Sequence, residues 1–479
     1  PAVFSDLLTG ALRGDGSLRP ALRDPLLARV NEVAARHAFF HWPFEFPEVF
    51  WHDTGAPRED AGFDAILGNP PWDMVRAEDG TPREQARQLA GFARDSGLYS
   101  HGGDAHVNRY QLFVERALDL LRDGGRLGLI VPCGLFGDAG VGATGRGLTV
   151  RASTNTLAAS NTRHALFPIH RGLRFAACCA TKGRPTQAMP CRTGETDTAA
   201  LDRIPDAGSS HEHFPVLALR GTLAALSGEG LAVPAVRDEP SLALLVRLAS
   251  SHPALADPGA WGARFSRELN ASDDRPAFVD ARVAATLPAG ACPIVEGKHL
   301  RPFQAAVDGA RWWMPRGAAA RRGRRFAAPR RAFRDVAGVG NRLTLIAAIL
   351  PAGSASVPTV FCLGSPLYAA AQLVLCALLN SLVANWYVRH WVSTHVTTGL
   401  VARLPAPWLH PHDAAFARLL ALARRCTREG EHGPAWVEAQ AEAARAYGLS
   451  GAELATGLAS FPLIEDARRD AVARTFARL

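Results

Sequence analysis

A short apolar run that ends at a rigid proline pair constrains the fold of this chain more than any other feature. The run is Phe63-Asp-Ala-Ile-Leu-Gly68, and Asn69-Pro70-Pro71-Trp72 follows it directly. Proline fixes its own φ angle and has no backbone N–H, so two in succession end a strand and hold the next residues in place. The pattern predicts a buried strand that breaks at Gly68 into a rigid loop.

The following residues predict an α/β sheet. Helical periodicity runs from Asn108 to Arg122, Asp123-Gly-Gly125 ends it, and Arg126-Leu-Gly-Leu-Ile-Val-Pro132 has the composition of a strand. Strand, helix, glycine turn and strand is the order of a βαβ unit in a parallel sheet. Ligands of such sheets bind at the carboxyl ends of strands, where we expect Asn69 to lie.

The Asn-Pro-Pro-aromatic loop has the groups needed to hold a planar amino group. The carboxamide oxygen of Asn69 and the carbonyl of Pro70 can both accept hydrogen bonds from one NH2, and Pro71 helps to fix the direction of both. Such contacts favour a pyramidal nitrogen whose lone pair can attack a methyl donor, while the ring of Trp72 offers a stacking surface. The alternative is a Pro-Pro turn with a tryptophan in the core.

Longer stretches around the loop carry a family resemblance. Phe40-His-Trp-Pro-Phe-Glu-Phe-Pro-Glu-Val-Phe50, Gly62-Phe-Asp-Ala-Ile-Leu-Gly-Asn-Pro-Pro-Trp-Asp73 and the segments 110–132 and 166–175 resemble the bacterial type II restriction-modification methylases, which are single-chain enzymes with an adenine-N6 DNA methyltransferase core. The resemblance implies S-adenosyl-L-methionine as cofactor and double-stranded DNA as partner. It also implies catalytic roles for Asn69, Pro70, Pro71 and Trp72 on an adenine flipped out of the duplex. Phe175 or Phe167 would stack on the other face of that base, although both suit a core position equally well.

The resemblance further implies a DNA-recognition region within 261–410. Residues 311–342 contain ten arginines and one acid, Asp335. The net charge of +8 favours an acidic partner, but a chain with two lysines and abundant arginine also indicates GC-rich codon bias. A solvated basic surface loop is therefore the alternative. The candidate phosphate contacts are Arg311, Arg316, Arg321, Arg322, Arg324, Arg325, Arg330 and Arg331.

One expected part of such a methylase is missing from the sequence. The family's glycine-rich cofactor loop should precede Asn69, and residues 1–60 contain nothing like it. Gly140-Val-Gly142-Ala-Thr-Gly145 nominally fits a dinucleotide-binding pattern, but it begins eight residues after the predicted strand and no apolar helix follows, so we interpret it as a flexible loop. We therefore expect an incomplete cofactor site. Two explanations stay open: the simpler is that the chain is the C-terminal part of a longer enzyme, and the other is that it works with a separate upstream polypeptide. In either case the upstream part would complete the cofactor site and could also carry a nuclease.

The fold expected is α/β, with a partial Rossmann-like methyltransferase sheet, a mixed α/β target-recognition domain and C-terminal helices. The predicted domains are 1–190 for the second half of the catalytic domain, 191–260 for a linker or insertion, 261–410 for DNA recognition and 411–479 for the helices. A helix is expected over residues 20–37, a short strand or clamp from Phe39, and one buried helix from Tyr368 to Val388.

Two classes of function remain open from the sequence. The first is site-specific DNA methylation within a restriction-modification system. The second is a non-catalytic DNA-binding or specificity module, or a truncated remnant without cofactor binding. We expect no metal site, because only Cys178 and Cys179 of the eight cysteines are adjacent. Without a membrane span or a signal peptide in the sequence, a cytoplasmic location is expected by default.

Overall fold

The computed structural model describes most of the chain in nine segments. These are residues 19–73, 83–99, 108–137, 142–161, 174–195, 213–322, 324–338, 340–392 and 394–479. At residues 37, 83, 85, 86, 142, 143, 155–161, 324 and 325 it describes the backbone alone. The chain divides into two compact units, one that ends at Phe63 and one from Asp64 to Leu479.

The described part of the first unit contains three helices. They are α1 (Pro20–His37), α2 (Trp42–Glu45) and α3 (Pro47–Phe50). The helix over 20–37 is confirmed, but the prediction of a strand from Phe39 is wrong. Proline is well tolerated in the first turn of a helix, and both short helices use one there. Their rings pack edge-on around Phe63, with centroids 5.6 Å away for Trp42, 5.4 Å for Phe46 and 5.6 Å for Phe50.

The large sheet has six strands in the order β1-β2-β4-β3-β5-β6. They are β1 (Phe63–Gly68), β2 (Leu121–Pro132), β3 (Ala152–Asn161), β4 (Arg174–Lys182), β5 (Ala188–Glu195) and β6 (Val216–Leu219). Strand β4 runs antiparallel to both β2 and β3, whereas β3 and β5 are parallel. The α/β class is confirmed, but the sheet is mixed and not purely parallel.

Helices flank this sheet along the chain. They are α4 (Arg83–Asp95), α5 (Arg109–Leu120), α6 (Gly134–Gly137), α7 (Gly142–Arg151), α8 (Arg220–Ser227) and α9 (Glu239–Ser251). The helix predicted from Asn108 is confirmed as α5, while β2 starts earlier than predicted, so Gly124 lies inside the strand with φ +79°. The linker predicted over 191–260 is instead structured in its described part, because β5 and β6 extend the sheet and Leu245 and Leu248 of α9 are fully buried.

Helix α7 corrects the interpretation of its glycines as a flexible loop. Gly145 is buried, and a Cβ atom built on it would lie 2.2 Å from the backbone oxygen of Leu135. Only a residue without a side chain allows α6 and α7 to approach this closely. The glycine therefore serves packing between two helices.

Smaller sheets follow. The sheet β15-β9-β12-β8 is built on a separate apolar core that includes Leu269, Ile294 and Met314. We call this sheet, helix α10 (Arg316–Arg321) and the adjoining residues 269–282 and 311–322 the basic lobe. The sheet β14-β13-β16-β7 belongs to the main core. Their strands are β7 (Phe265–Ser266), β8 (Val279–Asp280), β9 (Cys292–Val295), β12 (Trp312–Met314), β13 (Arg330–Arg334), β14 (Ala347–Leu350), β15 (Ala355–Ser356) and β16 (Val360–Leu363); β10 (Leu300–Arg301) and β11 (Gln304–Ala305) form a hairpin.

Seven helices complete the second unit's described part. They are α11 (Ala369–Leu379), α12 (Leu382–Arg389), α13 (Thr398–Arg403), α14 (Ala414–Glu429), α15 (Pro434–Ala446), α16 (Gly451–Ala459) and α17 (Asp466–Phe476). Helices in the last seventy residues are confirmed. No single helix in the described segments is long and apolar enough to span a membrane, and only the bent pair α11 and α12 passes that test together.

The single helix predicted from Tyr368 to Val388 is wrong. The chain bends by 58° between α11 and α12. The buried carboxamide of Asn380 at the break accepts a hydrogen bond from the N–H of Ala347, and that of Asn385 accepts from the N–H groups of Thr344 and Leu345. The break thus places two amides where they satisfy backbone N–H groups of the neighbouring strand and loop.

Candidate functional site

The Asn-Pro-Pro-Trp loop begins where β1 ends. Asn69 is exposed, and its carboxamide forms no hydrogen bond with any residue in the described segments. Pro70 is buried and its carbonyl oxygen is likewise without a backbone donor among those residues. Pro71 is exposed. Two neighbouring acceptors are therefore available to an incoming donor.

Trp72 fastens this loop to the sheet. Its indole Nε1 donates to the carbonyl oxygen of Ile130 on β2 at 3.4 Å, and the ring is half-buried. The ring of Phe175, on β4, lies 6.3 Å away at an angle of 33°. Since Phe175 is only 3% exposed, it supports the tryptophan from within the core, as the alternative interpretation predicted. Phe167 lies outside the described residues, and its stacking role stays a prediction.

The other end of the loop is tied to helix α5. The backbone oxygen of Asp73 accepts from the N–H of Arg109 at 3.1 Å, and its carboxylate pairs with Arg109 Nε at 3.1 Å. Asn108 and Gln111 form a reciprocal capping box at the start of this helix. Arg109 was not among the predicted site residues, although an arginine at the predicted start of a helix was the available signal. The loop is thus anchored at both ends.

This arrangement can hold a planar NH2 group against a ring. Asn69 Oδ1 and the Pro70 carbonyl supply acceptors, and Trp72 supplies the ring. The described residues around Asn69 include no glycine-rich turn with a nearby carboxylate that would fit S-adenosylmethionine, and Gly145 faces the Leu135 carbonyl instead. No group of three or more His, Cys, Asp or Glu side chains in the described part could hold a metal ion.

Arg330 and Arg331 are buried, which corrects their interpretation as phosphate contacts. Arg330 donates through Nη2 to Glu268 at 2.6 Å and also pairs with it through Nε. Glu268 further accepts from the N–H and hydroxyl of Ser356, both at 3.0 Å. Arg331 is fully buried, and no nitrogen of its guanidinium has a hydrogen-bond partner in the described part. Arg330 is only 6% exposed and Arg331 not at all, and both are therefore unsuited to contact DNA in this structure.

Two more of the predicted arginines are neutralised within the basic lobe. Arg311 binds Asp280 through Nε and Nη2 at 3.0 and 2.7 Å, and this hydrogen bond holds the pKa of the carboxyl below its ordinary value. Arg322 binds Asp274 at 2.5 Å. Burial raises the pKa of Asp274, but the hydrogen bonds from Arg322 and from the Asn270 N–H outweigh it and lower the pKa overall.

Four arginines of the predicted set remain, two on helix α10 and two just after it. Arg316 and Arg321 lie on α10 and are exposed, without an ion pair to the described residues. The side chains of Arg324 and Arg325 are outside the described residues, and their roles stay predictions.

A comparison with known families matches one segment of the chain. Residues 16–146 match the Eco57I restriction-modification methylase family, and this segment contains the whole Asn-Pro-Pro-Trp loop. It is less than half of the 479 residues. No curated protein matches the chain.

Solved restriction-modification structures resemble the chain at low sequence identity. The type IIL enzyme MmeI, solved in complex with DNA, is 11% identical with a TM-score of 0.48 and covers 87% of this chain and 57% of its own. The type IIG endonuclease BpuSI is 12% identical with a TM-score of 0.32 and covers 87% and 54%. The M protein of the type I enzyme EcoKI is 19% identical with a TM-score of 0.20 and covers 37% and 33%.

The chain therefore spans less than two thirds of each of these relatives. All three TM-scores lie below 0.5, so these structures carry no argument about the chain. The resemblance to restriction-modification methylases is confirmed, and it rests on residues 16–146.

Proposed function

We propose that this chain forms the base-binding half of a site-specific adenine-N6 DNA methyltransferase in a restriction-modification system. The observation that carries the proposal is the Asn69-Pro70-Pro71-Trp72 loop. It presents the exposed carboxamide of Asn69 and the carbonyl of Pro70 at the end of β1, and the hydrogen bond to Ile130 holds the ring of Trp72 in place. The family match over this segment supports the same chemistry.

The residues of this chain would act on the adenine amino group by positioning. The two N–H bonds of that group donate to Asn69 Oδ1 and to the Pro70 carbonyl, which draws the nitrogen toward a pyramidal geometry and frees its lone pair. Trp72 stacks on the base, which must leave the duplex to reach the loop. The clamps at Ile130 and Arg109 keep the acceptors and the ring in one arrangement, which lowers the entropic cost of alignment.

We propose that an upstream segment, in the same polypeptide or in a partner, supplies most of the cofactor site. Strand β1 is at the edge of the sheet in the described part of the chain, and its Leu67 side chain is 91% exposed. An unpaired edge with an exposed leucine next to the catalytic loop is suited to receive further strands. Whether that upstream segment also carries a nuclease stays a prediction.

Asn69→Ala tests the proposed function. Methyl transfer from radiolabelled S-adenosylmethionine to duplex DNA, without RNA present, should fall at least a hundredfold, because one of two acceptors for the amino group is lost (about 10²–10³ for a single transition-state contact). The assay is run with and without candidate upstream polypeptides from the same genome. Asn69→Asp, which keeps an acceptor oxygen, should retain measurable transfer. Equal activity of wild type and Asn69→Ala would exclude the assigned role.

A non-catalytic DNA-binding module is the second candidate. It is favoured by one observation, the lack of a cofactor cradle among the described residues around Asn69. Calorimetric titration with S-adenosylmethionine separates the two functions. Heat of binding by the chain, alone or with its upstream partner, supports the enzyme, while duplex binding without any cofactor heat in either case supports the module.

A further inference from the structure

One tryptophan of the basic lobe lies against two guanidinium groups. The Cζ atom of Arg275 is 3.4 Å from the centroid of the Trp312 ring, and that of Arg311 is 4.4 Å from it. Trp312 is half-buried on β12 and pairs in register with Asp280 on β8. Arg275 is the first residue of a short 3-10 turn, Arg275–Ala277.

The two cations differ in how their charge is compensated. Arg311 is bound by Asp280, as described above. Arg275 is exposed and forms no ion pair with any residue that the structure describes, and the adjacent Asp274 is bound by Arg322. The charge of Arg275 is therefore not compensated by a carboxylate among the described residues, whereas Arg311 and Arg322 each have one.

Stacking on a ring orients a guanidinium so that it can donate two parallel hydrogen bonds to one acceptor group. The ring contacts the flat face of the group, while all five N–H donors lie in the guanidinium plane and stay available. An arginine restrained in this way loses less side-chain entropy when it forms two parallel hydrogen bonds. Phosphate oxygens match this donor arrangement, and the contact is strengthened by charge.

We propose that Arg275, held on Trp312, is a contact for a backbone phosphate of duplex DNA. The proposal rests on the proposed function for its partner, and it goes beyond it in naming the residue. It also adds a residue to the set predicted from sequence, because Arg311 and Arg322 bind aspartates, whereas Arg275, which lies outside 311–342, has no carboxylate partner among the described residues. Phosphate contacts make up most protein–DNA hydrogen bonds, and an exposed cation on the lobe surface suits that role.

The test measures binding of the full chain to a fluorescent duplex of random sequence, by anisotropy, over a series of salt concentrations. Arg275→Ala should weaken binding about tenfold and reduce the slope of log K against log salt by about 1, equally for unrelated sequences. Arg275→Lys should recover the slope but little of the affinity, because lysine keeps the charge and lacks the planar donor fork. Arg282→Ala is the matched control, since it removes an exposed charge from the same lobe that no described ring supports.

Three results would overturn the inference. They are a wild-type affinity in Arg275→Ala, a loss no greater than that of Arg282→Ala, and a loss confined to one DNA sequence, which would indicate base recognition. If the wild-type chain binds no duplex, the proposed function fails along with it. If the wild type binds and Arg275→Ala binds equally well, this inference alone fails.

Discussion

Two adjacent arginines on β13 show how far the role of a residue depends on its partners. Arg330 is bound by the buried carboxylate of Glu268, whereas the guanidinium of Arg331 has no hydrogen-bond partner among the described residues, and burial lowers its pKa to about 10. In the sequence the two are equivalent members of a basic run. The difference arises because Glu268 comes from 62 positions upstream of Arg330, which local sequence patterns do not reveal.

Opposite effects on stability are expected from replacing these two arginines. Arg331→Met removes an uncompensated buried charge and keeps most of the volume, so the free energy of unfolding should rise by about 1–4 kcal/mol. Arg330→Met leaves Glu268 buried without its partner and should lower it by about 3–5 kcal/mol. Denaturant titration of both variants measures this. A loss of stability in Arg331→Met would indicate a partner for this cation.

His390 should make stability depend on pH. Burial lowers the pKa of His390 to about 4, while its Nδ1 lies 2.9 Å from the Ala235 carbonyl. The unfolded chain, with an ordinary pKa near 6.5, takes up a proton first as pH falls, so stability decreases from about pH 6.5 to about pH 4, by roughly 3 kcal/mol in all.

The variant His390→Asn isolates this contribution. Asparagine keeps an N–H donor close to the position of Nδ1 but does not titrate. The free energy of unfolding of wild type minus variant should therefore fall across the same pH window. A difference that is constant from pH 7 to pH 4 would contradict the prediction.

At the scale of elements, the sequence predicted those whose pattern is purely local. The strand β1, the helix α5 and the helix α1 were all found where periodicity and proline placement put them. The predicted parallel sheet was wrong because strand direction depends on which distant strand each one meets. The helix break at Asn380 was missed for a related reason, since its amide is satisfied by Ala347 from another element.

The candidate site divides in the same way. The Asn69 loop was predictable because its chemistry lies in four consecutive residues. Its anchors at Ile130 and Arg109 and the stacked Arg275 were not, because each contact joins positions at least 36 residues apart. Three of the predicted phosphate contacts are instead bound by Asp280, Asp274 and Glu268, which lie outside the arginine-rich segment.

Two helical glycines should respond differently to alanine. Gly145→Ala in α7 places a methyl group against the Leu135 carbonyl, so the free energy of unfolding should fall by about 1–3 kcal/mol. Gly221→Ala in α8 meets nothing within 4 Å, and it should be neutral or stabilising by up to about 1 kcal/mol. Thermal unfolding of both variants compares them. Equal shifts would show that α6 and α7 can separate without cost.

At the scale of the whole molecule, one apolar core joins parts that the sequence assigned to different domains. It includes Tyr110 beside the large sheet, Val374 in α11 and Val472 in α17. The predicted domain boundaries at 190, 260 and 410 stay predictions. They do not mark separate cores within the described residues, apart from the core of the basic lobe.

The unit from Asp64 should therefore unfold cooperatively. Leu419→Ala in α14 removes a fully buried side chain and should cost about 2–5 kcal/mol. Because the core is shared, the amides of β2 should lose hydrogen-exchange protection along with those of α14. Loss of protection confined to the C-terminal helices would show that the two regions unfold independently.

The exposed edge at β1 also governs how the protein behaves in a test tube. Among the described residues, the outer edge of β1 has no partner strand and carries the exposed Leu67, so a second molecule could add a strand there. The isolated chain is thus expected to associate as its concentration rises, and light scattering would follow this growth. Leu67→Lys places a charge on the edge and should keep the preparation monodisperse, and this variant offers the practical starting point for the binding experiments above.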